Sequence, residues 1–548
     1  MKAKNNKVIG VSLVLVFLFV MIVLLISRCT GGSISEKDSL ENLIKHVDYS
    51  VKKPVKGNVD LSDTSLYDEL PDIDKYPMSL EDKSGDINLE IFVSPEKAGT
   101  GADSWMVDVA KKYNSEKKQV QGQTVSVSLR NITSGIAADY IISGKYVPTA
   151  YTPSSSLWGF YVDAQGGNME MVDDNLVGNV AGFLVSKKAS YKDYKAVVAA
   201  IQKGEINIGY TNPQASTTGM NLLVTILSDA GNGDFTSEAA IKAFSDFQKN
   251  IPYVATNTMQ MRDSSASGSL DGMTMEYQSY IQDEELKASY NFIPFGVRHD
   301  NPIYSCNKAT ELEKEALKDF VAYCKSDVSQ KAAQKKGFNN NKDYSSSISI
   351  TGKDVKNALD IYKKEKDAGQ DIIAVFVADI SGSMDGAPLN QLKQSLGNGM
   401  KYINDTNYVG LVSYSSDVSI EVPIAKFDLN QKSYFQGALD RISAGGNTAS
   451  YDALVVAMNM IKEAKKDNPD AKSMIFLLSD GQANEGYSLD KISGAIKAEK
   501  IPVYTISYGE DADTDEMARV SAVNEAASIV ADSDDIVYKI KSLFNSSL

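Results

Sequence analysis

Only three of the 548 residues are cysteine and two are histidine. Three thiols cannot build a disulfide framework, so packed apolar cores must hold the domains together. Neither residue type lies near the strand ends described below. This disfavours zinc or copper there, because those metals favour imidazole and thiolate ligands. The same scarcity leaves little for nucleophilic catalysis. His46 lies in a polar N-terminal stretch, and His299 is far in sequence from the serines of interest, so no Ser-His pairing is expected. Positive charge is also short. Lys and Arg number 56 against 71 Asp and Glu, a net charge of −15. That balance argues against a nucleic-acid partner, whose phosphates need basic neutralisation, and favours attraction to cations. No internal repeat is apparent. The length exceeds what one core serves, so two or three domains are expected.

There is one long apolar run. Lys2, Lys4 and Lys7 precede an uncharged stretch over 8–27, which as a helix would span roughly 30 Å, about one hydrocarbon core. It is longer than a usual signal-peptide core, and no small-x-small cleavage site follows. The expectation is a single-pass cell-membrane anchor, with 1–7 cytoplasmic and the bulk of the chain extracytoplasmic. Cys29 leaves a lipoprotein signal as the alternative, although Arg28 stands where such signals place a small residue. Residues 28–84 are polar and carry Pro54, Pro71 and Pro77. They read as an extracytoplasmic stalk with one short helix over 40–47.

From 85 to 340 the pattern becomes α/β. Strands read at 87–93, 125–129 and 207–210, and helices at 104–113, 136–143 and 220–230. The stretch Tyr210-Thr211-Asn212-Pro213-Gln214-Ala215-Ser216-Thr217-Thr218-Gly219 leaves a strand and opens a helix. Its hydroxyls and free amides make a ready site for an anion or polar group. With Gly268-Ser269-Leu270-Asp271-Gly272-Met273, Tyr277, a helix over 311–325 and Gly337-Phe338, it resembles bacterial extracellular solute-binding proteins of the two-lobed kind, particularly those handling oxyanions such as molybdate or sulfate. The resemblance implies two α/β lobes that close on a small solute about a hinge. Ser94, Ser216, Thr217 and Thr218 are then the candidate contacts. The loop over 94–102 carries no signature for one ligand, so retained solute binding and a scaffold role both stay open. Trp105, Tyr151 and Trp158 are expected in the core rather than in a pocket. Cys306 ends a strand and Cys324 lies near the far end of the next helix, roughly 21 Å on. Separate inert thiols are expected there rather than a bridge.

Residues 341–370 read as a polar linker followed by a helix over 353–366, with Val355, Ala358, Leu359 and Tyr362 on one face. A face that apolar needs cover, so the helix is expected to pack as a strut orienting the next domain.

Residues 371–548 alternate strand and helix as a doubly wound, mostly parallel sheet does. An apolar run over 372–378 ends in Asp379-Ile380-Ser381-Gly382-Ser383, where glycine permits a tight turn. Gly445-Gly446-Asn447-Thr448 precedes a helical pattern over 449–464, and a second buried run over 474–478 ends in Ser479-Asp480-Gly481. Asp379, Ser381, Ser383, Thr448 and Asp480 are thus hard oxygen donors at strand ends or helix starts. With at most two negative charges they suit Mg²⁺, with Mn²⁺ or Ca²⁺ also possible. Asp385 reads as a solvated loop acid. The set resembles the metal-ion-dependent adhesion site of von Willebrand factor type A domains, with every position filled. The resemblance implies that Ser381, Ser383 and Thr448 are direct or near-direct ligands, that Asp379 and Asp480 support them, and that a partner protein's carboxylate completes the coordination. The expected function is a membrane-anchored extracytoplasmic protein, not an enzyme, that captures a protein partner through the metal. A solute sensor or transport-associated receptor using the 85–340 cleft is the alternative.

Overall fold

A computed structural model describes residues 39–62, 65–264, 270–480, 483–508, 512–524, 526 and 528–531. The expected anchor over 8–27, the lipoprotein alternative at Cys29, Gly268, Ser269, Gly481 and an expected helix over 536–544 lie outside the described residues. Among the described residues no helix is long and apolar enough to cross a membrane.

The strand Ile372–Asp379 is buried at every position. Its alternate side chains serve two cores, as the period of two requires. Ala374, Phe376 and Ala378 join one with the helices Ala387–Gly399 and Leu429–Arg441. Ile373, Val375 and Val377 join the other with Ser450–Ala464, Leu489–Glu499 and Thr514–Ala522. The strand pairs in parallel with Tyr408–Tyr414 on one side and Lys472–Ser479 on the other. Val503–Tyr508 and Ser528–Ala531 continue the parallel sheet, and Val418–Lys426 closes the far side antiparallel. The result is the expected doubly wound, mostly parallel α/β sheet.

The stalk expectation is corrected. Leu40, Leu43 and Val47 are 2%, 1% and 6% exposed and belong to the same core as Val375. Tyr49–Val51 adds a parallel strand beside Val418–Lys426, and Lys52 N–H continues it to Ile420 O at 2.9 Å. Further on, Gly57 N–H donates to Ser433 O at 2.7 Å, and a Cβ on Gly437 would meet Val55 O at 2.0 Å. The added strand is exposed at all three residues, so it carries none of the apolar alternation by which a strand is read. Met78–Leu80 likewise pairs antiparallel with Gln123–Asn131 in the middle domain. Buried Arg130 holds Ile73 O at 3.1 Å and Tyr76 O at 2.7 Å.

The middle domain has two sheets. The first runs in the order Met78–Leu80, Gln123–Asn131, Ile87–Val93, Ala150–Thr152, Ile303–Ser305, Glu170–Asp173. The second runs Val254–Ala255, Ile208–Thr211, Gly272–Glu276, Ala181–Ser186, Tyr290–Pro294. The chain crosses between them near Asn179 and His299, whose backbones pair at 2.8 and 3.0 Å. That pair lies at the crossing point between the lobes, where the resemblance to two-lobed proteins puts a hinge. Cys306 and Cys324 are free, buried, and in different cores. Burial pushes the Cys306 thiol up to about 12, which leaves it unreactive.

The helix expected over 353–366 is Gly352–Glu365, and its place differs from that of a linker. Val355, Ala358, Leu359, Ile361 and Tyr362 are buried against Ser156–Ala164 of the first lobe and Thr217–Ala230 and Glu238–Lys249 of the second. A Cβ on Gly352 would meet Phe160 O at 2.2 Å, so the approach there requires glycine. The helix therefore bridges the lobes and, six residues after its last, the chain reaches Asp371 before the strand Ile372–Asp379.

Lys366 follows this helix at 8% exposure, and burial pushes its ammonium down to about 7, with Asp367 opposing and Lys363 adding. Unfolded lysine titrates near ~10.4, so between about pH 7 and about pH 10 the unfolded chain binds a proton the folded one has lost. Stability from this residue therefore rises with pH across that window, and the full cost of the buried charge is present below it. Lys366→Met is expected to raise the melting temperature at about pH 6 and to flatten the rise, as read by thermal denaturation across pH. Parallel profiles for the two chains would refute it.

Candidate functional site

Parallel pairing brings the loops of interest to one edge of the C-terminal sheet. Asp379 lies opposite Tyr414, and Ala378 opposite Leu478. Asp379 is fully buried. Its Oδ1 accepts Ser381 N–H at 2.8 Å, and its Oδ2 accepts Ser479 Oγ at 2.7 Å and Tyr414 OH at 3.2 Å. Burial pushes its carboxyl above the usual range, against those hydrogen bonds. Ser381 Oγ lies 3.1 Å from Ser383 Oγ, and Ser383 Oγ donates to Asp480 Oδ1 at 2.9 Å. Asp480 is also pushed up, by burial first, with Ser383 opposing and the Asp379 charge adding. Ser383 is exposed, so the cluster opens to solvent.

Thr448 arrives on a separate loop that is stitched to the serine loop. Gly382 N–H donates to Gly446 O at 3.0 Å, and Gly445 N–H to Ile380 O at 2.9 Å. Gly446 has φ 85° and its Cβ position lies 3.0 Å from Ser416 Oγ, so the turn needs glycine twice over. Thr448 is 4% exposed. Its N–H donates to Asn484 Oδ1 at 2.8 Å, and its carbonyl accepts the amides of Asn484 and Glu485 at 3.1 and 3.3 Å. Two carboxylates that burial drives toward protonation, with the Ser381 and Ser383 hydroxyls between them and Thr448 on the loop stitched to theirs, are the donor chemistry of a hard divalent cation. Among the described residues no group of three His, Cys, Asp or Glu could hold a metal; the set at this edge relies on hydroxyls instead.

In the middle domain a cavity of about 30 Å³ lies between the lobes. Glu96, Ser134 and Ser154 line it from the first lobe, and Ser216, Thr217 and Glu276 from the second. Trp158 Nε1 donates to Thr217 Oγ1 at 3.0 Å, and Gly135 N–H to Ala215 O at 3.1 Å, so the lobes are in contact. Of the four candidate contacts, Ser216 and Thr217 face the cavity. Ser94 and Thr218 are buried behind it, hydrogen-bonded to Glu96 and Glu276 respectively. Burial pushes the Glu96 carboxyl up, but the Lys97 charge and the Ser94 and Ser154 hydroxyls outweigh it and hold the group below the usual range. Burial pushes Lys97 down, against Glu96.

Residues 374–544 match the family described as von Willebrand factor type A domain, and residues 98–339 match bacterial extracellular solute-binding protein. The chain joins a von Willebrand factor A domain to a solute-binding domain. Among curated relatives, inter-alpha-trypsin inhibitor heavy chain H3 of Bos taurus is 30% identical over 173 residues, covering 29% of this chain and 19% of that protein. The chain thus spans about a fifth of that relative's length. Among solved structures, the sulfate-binding protein SubI of Mycobacterium tuberculosis H37Rv is 14% identical with a TM-score of 0.37, covering 49% of this chain and 96% of its own. A von Willebrand factor type A structure from Catenulispora acidiphila is 19% identical with a TM-score of 0.30, covering 32% of this chain and 42% of its own.

Several residues of both sites escape a reading by motif. In the von Willebrand factor A domain they are Ser479 and Tyr414, which hold Asp379, and Asn484, which holds Thr448. Ser479 directly precedes Asp480, so its position was a usable signal. In the solute-binding domain they are Glu96, Lys97 and Glu276, which follow Ser94-Pro95 or precede Tyr277 and look like ordinary surface charges until the lobes meet.

Proposed function

We propose that this is a membrane-anchored, extracytoplasmic binding protein that captures a protein partner through a divalent cation at the von Willebrand factor A domain. The observation that carries the reading is the hydrogen-bonded line from buried Asp379 through Ser381 and Ser383 to Asp480, open to solvent at Ser383. Ser381, Ser383 and Thr448 would hold the metal, Mg²⁺ before Mn²⁺ or Ca²⁺, and Asp379 and Asp480 would fix those hydroxyls and balance its charge. A bound cation offers a partner's carboxylate an open position. Asp379 orients the serine loop, while Asn484 and the paired glycines hold Thr448 in place. The exported setting rests on the apolar run over 8–27 and on the solute-binding family match.

The role is binding and not catalysis. His299, the histidine of the solute-binding domain, is fully buried and committed to Asn221 and Glu276, with no nucleophile beside it. A second activity, binding of a small solute between the lobes, is favoured by the interlobe cavity and the family match over 98–339.

Chelation tests the main reading. Partner capture by the full chain is expected to disappear in EDTA and return with Mg²⁺, measured by pull-down of surface proteins. Capture that survives chelation would remove the proposal.

A further inference from the structure

We propose that the interlobe cavity binds the ammonium group of a small amine, an inference that rests on the reading of this cleft as a solute site. Each lobe contributes one carboxylate. Glu96 comes from the loop after Ile87–Val93, and Glu276 from the end of Gly272–Glu276.

Neither is free to turn away. Glu276 is 4% exposed and accepts from Asn179 Nδ2 at 2.5 Å, His299 Nδ1 at 3.1 Å and Thr218 Oγ1 at 3.3 Å. The histidine proton can be assigned from its other neighbour. Asn221 Oδ1 accepts Val297 N–H at 2.9 Å and its Nδ2 donates to Val297 O at 2.8 Å, which fixes the amide. The same Nδ2 lies 3.0 Å from His299 Nε2, so Nε2 is the acceptor and Nδ1 carries the hydrogen toward Glu276. The ring holds the carboxylate without cancelling its charge.

Glu96 Oε1 accepts from Ser94, from Ser154 at 2.9 Å and from Lys97 at 3.2 Å. Lys97 is fully buried and also donates to Ser94 and, at 2.7 Å, to Asn301 Oδ1. One lysine therefore offsets one of the two carboxylates, and a negative charge remains beside the cavity. Thr133 Oγ1, also in the lining, is buried with no partner among the described residues.

Carboxylates and hydroxyls all accept, and an ammonium offers three donors. An oxyanion would sit between two carboxylates in a site of low dielectric, a repulsion that the hydroxyls at the start of Thr217–Ala230 do not overcome. The lining holds no imidazole or thiolate, which disfavours zinc and copper. A hard divalent cation would use the same oxygens, and it is separated from an ammonium by the calcium arm of the test below. The cavity of about 30 Å³ has room for an ammonium head and one water. Both carboxylates also connect to the crossing between the lobes: Glu276 through Asn179 and His299, Glu96 through Lys97 to Asn301. An amine bridging them draws the lobes together at their crossing point.

Calorimetry on the full chain in EDTA, with ethanolamine and putrescine against sulfate and molybdate, tests this. At least one amine is expected to bind saturably, and Glu96→Gln and Glu276→Gln are each expected to weaken it at least tenfold. Circular dichroism checks the fold of both variants, and Glu96→Gln decides if Glu276→Gln unfolds. Amine binding untouched by Glu96→Gln in a folded chain would overturn the assignment. An oxyanion that binds, and binds tighter in Glu96→Gln, would overturn the ammonium class and keep the cleft as a solute site. Without EDTA, Ca²⁺ binding that persists in Asp379→Ala and is lost in Glu96→Gln would overturn it in favour of a metal. No heat from either class would overturn both the inference and the solute reading.

Discussion

Asp379→Ala is expected to abolish saturable Mg²⁺ binding by the full chain, and with it partner capture. The carboxylate is the anchor of the serine loop, because its Oδ1 fixes Ser381 N–H and its Oδ2 gathers Ser479 and Tyr414. Removing it takes away a charge that would balance the proposed metal and releases the turn that presents Ser381 and Ser383. Changes to groups that merely orient ligands cost about 10–100-fold in metal affinity, so loss of charge and orientation together should exceed 100-fold. Stability moves less predictably. Three donors lose an acceptor, at about 1–3 kcal/mol for each left unsatisfied, while the penalty of a buried carboxylate disappears. Thr448→Val is the cleaner companion, since it deletes one hydroxyl and keeps the shape. Calorimetry on both variants, with melting curves alongside, separates a lost ligand from a lost fold. Wild-type affinity in a folded Asp379→Ala chain would exclude the proposed centre.

Deleting residues 39–60 is expected to destabilise the von Willebrand factor A domain heavily. Leu40, Leu43 and Val47 leave a shared core, and full burial of such side chains stabilises by about 1.5–3 kcal/mol each. Their sum, about 4.5–9 kcal/mol against a fully extended unfolded chain, is a large part of the 5–15 kcal/mol typical of a domain. A drop of on the order of 10 °C in melting temperature follows for a domain of this size. The deletion also bares the edge of Val418–Lys426, so self-association through the open edge is expected in gel filtration. Leu43→Asp should reproduce the loss of stability but not the association. An unchanged melting curve after deletion would mean that the N-terminal segment contributes nothing to the domain.

The clustering of Asp379, Ser381, Ser383 and Asp480 was legible in the sequence because its information is local. An apolar run ending in Asp379-Ile380-Ser381-Gly382-Ser383 shows both the buried strand and the donors it delivers. Parallel sheets then gather the ends of neighbouring strands without further instruction. The cleft was legible only in part. Ser216 and Thr217 open a recognisable helix, but Glu96 and Glu276 become a pair only when lobes 180 residues apart in sequence meet. Lys97 looks like a solvated charge and is fully buried. The face of Gly352–Glu365 could be read from Val355, Ala358, Leu359 and Tyr362, but its cover could not, since that comes from helices over a hundred residues earlier. Tyr49–Val51 was unreadable for another reason: an exposed edge strand is specified by backbone pairing, which leaves no mark on side-chain pattern.

That edge strand has a consequence for the order of synthesis. Ser50 meets Ser419, 369 positions later in the chain. At the usual elongation rate of about 5–20 residues per second, the early strand emerges on the order of tens of seconds before its partner exists. Throughout that interval Leu40, Leu43 and Val47 have no core to enter, while the whole solute-binding domain is made and can fold. A segment made early is thus among the last to find its place, and a factor that shields it during translation would act on residues 39–51.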